Sequence, residues 1–328
     1  MQASEPLVSV VIATYRRAAL LKRCLLALCH QRMDARAFEI IVADDGCEPA
    51  IAALVATLAA RYRAVAFRYT AVPATQGPAG ARNAGARLAR GEILAFTDDD
   101  TIPSPDWVCN GYLALAGAPG WCAAAGRVVV PTPARPTDHE RDTAGLASAE
   151  FVTANCFVRR AAFERVGGFD ERFTRAWRED SDLQFRLEGQ VGPVGRATDA
   201  VVEHPVRPAE WGASARAQAK VFFDALLYKK HPLLYRQRIR RVPPWHYYAI
   251  VACAGVALVG ALAGAAQVAA VAAAGWALLT AAFCARRLRG ASWRPRHVCE
   301  MVATSIVIPP LSLYWRLRGA LAFRTGFL

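Results

Sequence analysis

The chain has 328 residues, enough for a full catalytic domain with an appendage, and a formal net charge of +13. That charge fits a nucleic acid, an anionic membrane surface or an anionic substrate as partner. Its nine cysteines are odd in number and form no Cys-x-x-Cys pair or Cys/His cluster at zinc spacing. This pattern excludes a disulfide framework and a zinc module, and points to a reducing compartment.

Met1–Pro6 is short and polar and lacks the basic and apolar regions of a signal peptide. Leu7–Ala13 is a β-branched run suited to a strand buried on both faces, closed by the polar turn Thr14-Tyr15-Arg16-Arg17. Leu20, Leu21, Cys24, Leu25 and Leu28 recur at helical spacing. Phe38–Ala43 predicts a second strand ending at Asp44-Asp45-Gly46, Ile51–Tyr62 a helix, and Val65–Tyr69 a third strand. Together they predict a βαβαβ opening with a parallel sheet. In Gln76-Gly77-Pro78-Ala79-Gly80-Ala81-Arg82-Asn83-Ala84-Gly85, Pro suits a first helical turn and the glycines admit close approach. Arg82 falls in the first two turns, near N–H groups that attract phosphate; taken alone, the glycines are better explained by simple tight packing.

Gly91–Thr101 is the most telling stretch. An apolar strand runs into Asp98-Asp99-Asp100. A buried strand does not tolerate clustered carboxylates, so the acids belong at its C-terminal mouth, where open α/β sheets bind ligands. Three carboxylates repel one another unless a cation or donors neutralise them, and hard oxygen ligands suit Mg²⁺ or Mn²⁺. A solvated acidic loop is the plain alternative. Pro103 and Pro105 then break the chain, Trp107 is expected to cover the exit, and Trp121–Pro131 reads as a strand. Ala134–Thr143 lacks apolar periodicity and reads as a mobile loop.

A second dense stretch runs from Asn155 to Leu187. Trp177 precedes Glu179, Asp180 and Asp182 at a helix start, where the macrodipole favours negative charge. Capping accounts for one of these acids, not three. Leu183 and Leu187 share a helical face, with Phe185 off it. Val201–Pro205 reads as a late strand ending at His204, either a structural histidine or a metal ligand. Tyr247–Phe283 is almost wholly apolar, long enough for two short spans with a turn in Gly260–Gln267. Arg238, Arg240 and Arg241 before it, and Arg286, Arg287 and Arg289 after it, fit a hairpin (about 246–284) with both ends cytoplasmic. A buried globular hairpin would lack the bordering Trp245, Tyr247 and Tyr248. The segment at about 298–316 contains Glu300 and Pro309-Pro310 and reads as re-entrant or interfacial. The late basic residues flank apolar segments rather than interleave with aromatics, so no nucleic-acid partner is expected.

Six stretches in this order resemble the family 2 glycosyltransferases: Val-Ile-Ala-Thr-Tyr-Arg-Arg, Val-Ala-Asp-Asp-Gly, Gly-Ala-Arg-Asn-Ala-Gly, Phe-Thr-Asp-Asp-Asp, Val-Gly-Gly-Phe-Asp-Glu and Arg-Glu-Asp-Ser-Asp-Leu. The likeness covers about residues 7–205. It implies an inverting α/β enzyme of the GT-A fold, Rossmann-like with a mostly parallel central sheet, over residues 1–235. A membrane-associated helical region would occupy 236–328. It implies a nucleotide-sugar donor, with a UDP-sugar as the first expectation, and a Mg²⁺ or Mn²⁺ cofactor. Thr14, Tyr15, Asp44, Asp45, Arg82, Asp98 and Asp99 would bind the nucleotide. Asp98 and Asp100, with His204, would hold the metal, and Asp180 would be the general base. Trp177, Glu179 and Asp182 would meet the acceptor or orient the base. Gln237-Arg238-Ile239-Arg240-Arg241 stands where processive polysaccharide synthases carry Gln-x-x-Arg-Trp, with Arg in the place of Trp. The expectation is therefore one sugar added to a lipid-linked or membrane-presented acceptor, in making an envelope polysaccharide or glycolipid. The enzyme would sit at the inner membrane with its catalytic domain facing the cytoplasm. The alternatives are a nucleotidyltransferase and a membrane-anchored, non-catalytic sugar-nucleotide-binding protein.

Overall fold

A computed structural model describes residues 5–74 and 77–327. Met1–Ser4, most of the expected polar N-terminus, and Gln76 of the Gly-rich stretch lie outside the described residues. The chain divides into two compact units, Met1–Pro131 with Ala144–Val206, and Thr132–Thr143 with Arg207–Leu328.

The first unit opens as β1 (Val8–Thr14), α1 (Ala18–Cys29), β2 (Phe38–Asp44), α2 (Pro49–Arg61), β3 (Ala66–Ala71), α3 (Pro78–Leu88) and β4 (Ile93–Asp98). Strands β1 and β2 are buried on nearly every residue, as their β-branched runs require. Helix α1 turns Leu21, Cys24, Leu25 and Leu28 to the core. Helix α3 has Pro78 in its first turn, and Gly85 lies so close to β1 that an added Cβ would overlap Val11. Then follow β5 (Ile102–Pro103), α4 (Trp107–Ala116), β6 (Ala123–Val129), β7 (Asn155–Arg159), α6 (Arg160–Arg165), α7 (Glu179–Gln190) and β8 (Val194–Glu203), with α5 (Asp138–Ala144) between β6 and β7 in the chain but in the second unit. Among the described residues these strands make one sheet in the order β3-β2-β1-β4-β7-β6-β8-β5. The half β3-β2-β1-β4 is parallel, as the crossovers predict. The second half is mixed: β7 runs antiparallel to β4 and β6, and β6 pairs parallel with β8.

Two local expectations change. Trp107 does not cover an exit. It is fully buried, stacks on Phe157 at 5.0 Å and donates its indole N–H to Asn155 at 2.8 Å. A buried tryptophan needs such a partner, and Asn155 supplies it while also donating to Arg127 O and Ala200 O. Phe185 is buried as well, so α7 is covered over more of its circumference than the Leu183–Leu187 stripe suggests.

The second unit holds α5, α8 (Ala213–Ala217), α9 (Val221–Lys230), α10 (Pro232–Leu234), α11 (Trp245–Leu262), α12 (Ala266–Leu288) and α13 (Pro295–Phe323). Helix α5 replaces most of the expected mobile loop. Thr137 and Glu140 cap it reciprocally, Glu140 Oε2 accepting from Thr137 N at 2.6 Å and Thr137 Oγ1 from Glu140 N at 3.3 Å. Asp138 in its first turn accepts from Arg287 Nη2 at 2.7 Å. Helices α11, α12 and α13 are each long and apolar enough to cross a membrane by length and composition. The first two meet at a turn over residues 263–265, inside the expected Gly260–Gln267 stretch. The third, expected as a re-entrant or interfacial segment, is one helix of 29 residues running through Pro309-Pro310. Proline removes a helix hydrogen bond, but packing holds the rod together. Gly319 packs against α9 so closely that a Cβ would press on Phe222 O, and Arg287 of α12 donates to Thr304 and Ser305.

Candidate active site

The register of the parallel half places the site. Thr14 lies opposite Asp44 across β1–β2, and Ala13 opposite Asp98 across β1–β4. The polar ends of three neighbouring strands therefore form one row at the C-terminal edge of the sheet, the edge expected from the acidic triplet.

The three acids of that triplet point to different jobs. Asp98 Oδ1 accepts from Arg82 Nη2 at 2.7 Å. Asp99 turns back towards β1, where Thr14 Oγ1 donates at 2.8 Å and Arg17 Nη1 at 3.2 Å. Burial raises the Asp99 carboxyl above its ordinary range, although Arg17 and Thr14 oppose that rise. Asp100 lies beside His204, with Nε2 to Oδ1 at 3.4 Å. The pairing of Ile102 with Glu203 brings the two together, and His204 N is anchored on Val129 O.

Asp98, Asp100 and His204 each offer a ligand atom within 4.8 Å of the others. His204 is buried and its Nδ1 has no hydrogen-bond partner. Two hard carboxylate oxygens and one imidazole, with an unsatisfied ring nitrogen, are consistent with a divalent metal ion.

Asp44 and Asp45 separate clearly. Asp44 is saturated: Oδ1 accepts from Gly46 N, and Oδ2 from Glu48 N and the Tyr69 hydroxyl. It builds the turn after β2. Asp45 accepts from Gly77 N through Oδ2 at 2.9 Å, while its Oδ1 is sealed from solvent and unpartnered. Burial raises the Asp45 carboxyl, against the Gly77 N–H. Of the pair, Asp45 has capacity left for a ligand. Tyr15 presents a ring 52% exposed at the same row, with the Arg16 guanidinium 5.2 Å from its centre. Arg16 itself has φ 55°, a left-handed backbone uncommon outside glycine and a mark of local strain.

Arg82 joins the two acidic stretches. It is 3% exposed and pairs with Asp98 on one side and with Glu179 Oε1, at 3.0 Å, on the other. Burial works against its charge, but Asp98 and Glu179 outweigh it and raise its pKa. On Glu179 the balance falls the other way. Burial and the adjacent Asp180 push its carboxyl up to about 7 in spite of Arg82. Its Oε2 is buried and unpartnered. Next to it Asp180 is only partly covered, and its Oδ1 accepts from Ser181 N at 2.7 Å. Burial raises Asp180 too, opposed first by that N–H. Arg178, which precedes the helix, is left-handed at φ 76° and lies 4.4 Å from the Trp177 ring. Asp182 is fully buried against Arg186 at 2.9 Å, and Arg186 donates on to Val166 O. It fastens α7 to the neighbouring glycine turn.

Sequence reading passed over Arg17 and Asn83. Asn83 accepts from Phe169 N and donates to Phe169 O and Glu171, tying α3 to the Gly-Gly-Phe-Asp-Glu stretch. Both residues stood within the motifs, but their partners lie 82 and 86 positions away.

The sequence and the fold are similar to those of known glycosyltransferases. The family described as "Glycosyl transferase family 2" matches residues 9–167. A validoxylamine A glucosyltransferase of Streptomyces hygroscopicus subsp. jinggangensis is 30% identical over 226 residues, which cover 58% of this chain and 53% of that protein. The glycosyltransferase AglE of Haloferax volcanii is 27% identical over 217 residues, 63% of this chain and 70% of its own. The chain thus spans about half the length of the first of these relatives. Among solved structures, the mannosyltransferase PcManGT from Pyrobaculum calidifontis, in complex with GDP-Man and Mn²⁺, superposes with a TM-score of 0.58. It is 22% identical, with 95% of this chain and 88% of that chain covered, and shares the fold.

Proposed function

From the premise that this chain is a family 2 glycosyltransferase with the GT-A fold, we propose that it moves one sugar, with inversion, from a nucleotide-sugar donor to a hydroxyl of a lipid-linked or membrane-presented acceptor. The observation that carries this reading is Arg82, whose guanidinium links Asp98 to Glu179 and so joins two acidic stretches far apart in sequence. A transfer reaction needs both: one to hold the donor's diphosphate, one to take the acceptor's proton.

In this reading Tyr15 stacks on the base and Asp45 Oδ1 receives a donor group of the nucleotide. Thr14 and Arg17 hold Asp99 so that the triplet opens towards the ligand. Asp98, Asp100 and His204 would hold Mg²⁺ or Mn²⁺, which would offset the charge developing on the leaving diphosphate. Asp180 accepts the acceptor's proton as the new O–C bond forms and the anomeric C–O bond breaks, releasing a nucleoside diphosphate. Glu179 keeps Arg82 in place behind it. Three apolar helices with basic flanks support a membrane-associated region over about 236–328, with the catalytic unit on the cytoplasmic side of the inner membrane.

Two experiments test the proposal. Purified full-length protein is incubated with UDP-, GDP- and TDP-sugars and an acceptor-bearing membrane extract. Release of a nucleoside diphosphate is expected; release of pyrophosphate would indicate a nucleotidyltransferase, and binding without turnover a non-catalytic binder. For topology, reporters fused after Arg241 and after Arg289 should both read cytoplasmic, and one at Gly264 the opposite side. A chain that remains in the supernatant without detergent would contradict the membrane assignment.

A further inference from the structure

Helix α13 carries a charge that the transfer chemistry does not use. Arg316 is 3% exposed, and its Nε and Nη1 are sealed from solvent with no hydrogen-bond partner. Among the described residues it forms no ion pair. Buried Asp224 of α9 is near enough to be felt electrostatically but stops short of pairing with it. Its guanidinium carbon lies 4.9 Å from the centre of the aromatic Phe327 ring. Phe327 in turn stacks on Tyr235 and Tyr228, each at 5.5 Å. An aromatic face offsets only part of the cost of burying an ionised fork, and two of the fork's donors remain unused.

The surroundings say what would use them. The apolar stretch of α13 ends at Tyr314-Trp315, the aromatic pair expected where a membrane helix meets the headgroups. Arg316 follows directly. Residues 229–241, in the same unit, contain Lys229, Lys230, Arg236, Arg238, Arg240 and Arg241 and no acid. A planar fork with free donors, at headgroup depth and beside a positive segment, matches a phosphate oxygen pair.

We infer that Arg316 is the floor of a phosphate-binding site in the helical unit, taking the phosphate or diphosphate group of an anionic membrane lipid. The site does not depend on the proposed transfer reaction, and binding rather than turnover reports on it.

The test uses the full chain in a neutral detergent, with the thermal midpoint followed as lipid is added. Phosphatidylglycerol should raise the midpoint, whereas phosphatidylcholine and inorganic phosphate should not. Arg316→Lys keeps the charge but loses the fork, and should weaken the phosphatidylglycerol response about tenfold or more in apparent affinity. Arg316→Gln should unfold at an unchanged or higher temperature without lipid, because an unpaired buried charge is removed, and should lose the lipid response. Arg318→Gln, an exposed neighbour, should respond like the wild type. A rise produced equally by inorganic phosphate would overturn the assignment to a lipid. So would an unaltered lipid response in both Arg316 variants, or an equal loss in Arg318→Gln. A lower midpoint for Arg316→Gln with its lipid response intact would show a purely structural arginine.

Discussion

Replacing Asp180 by Asn should lower the transfer rate by about 10²–10⁴-fold, the usual contribution of a general base. Asparagine keeps the shape and one acceptor oxygen, so the contact from Ser181 N at 2.7 Å can persist while proton affinity is lost. Donor affinity should hardly change, because Tyr15, Asp45, Asp98 and Asp100 stay intact. The pH profile adds a second signature. Burial raises the Asp180 carboxyl above its ordinary 3.8, and a base works only when ionised. The rate should therefore fall on the acid side at a pH above the usual carboxylate range, and that limb should disappear in the variant's residual activity. Asp182→Asn should be milder for the chemistry, since Asp182 is buried against Arg186, and its cost should appear as lower stability. Near-normal turnover in Asp180→Asn, or an equal collapse of donor binding, would remove Asp180 from the role of base.

The second large effect concerns the metal. Chelation should abolish measurable transfer, and Mn²⁺ or Mg²⁺ should restore it. Asp100→Asn should cost about 10²–10³-fold or more, the range found when one preorganised charge stabiliser is removed from a transition state. Here donor affinity should fall together with rate, the opposite of the Asp180 variant. His204→Ala separates ligation from packing. If the unpartnered Nδ1 reflects a ligand role, raising the metal concentration should recover activity. Full activity in excess chelator would contradict the metal reading.

What could be read from the sequence followed from local rules. Strands β1, β2 and β4 announce themselves as apolar runs, and their parallel pairing follows from the crossovers between them. Clustered acids cannot be buried in a strand, so Asp98–Asp100 had to lie at its mouth. The division of labour within the triplet was not legible. Asp99 faces Thr14 and Arg17, and Asp100 faces His204, because of a sheet order that brings β5 and β8 to the far edge. Arg82 read as a phosphate ligand near a helix start, yet it lies between two carboxylates, one of them 97 positions away. Helix α5 was the avoidable omission: Thr137 and Glu140 stand at capping-box spacing, but the segment has no apolar stripe to draw attention. Helix α13 is the converse case. Pro309-Pro310 argues locally against a continuous helix, and packing of Gly319 on α9 and of Thr304 and Ser305 on Arg287 overrides it.

The proposed reaction is a single displacement, with Asp180 drawing the proton from an acceptor that attacks opposite the leaving diphosphate. The anomeric configuration of the product tests this most directly. Full-length enzyme is supplied with the donor that the nucleotide screen identifies, and the new glycosidic linkage is assigned by the proton coupling constant at the anomeric carbon. Inversion is expected, an α-linked donor giving a β-linked product. Retention would require an enzyme nucleophile or a same-face attack, and would contradict the role given to Asp180.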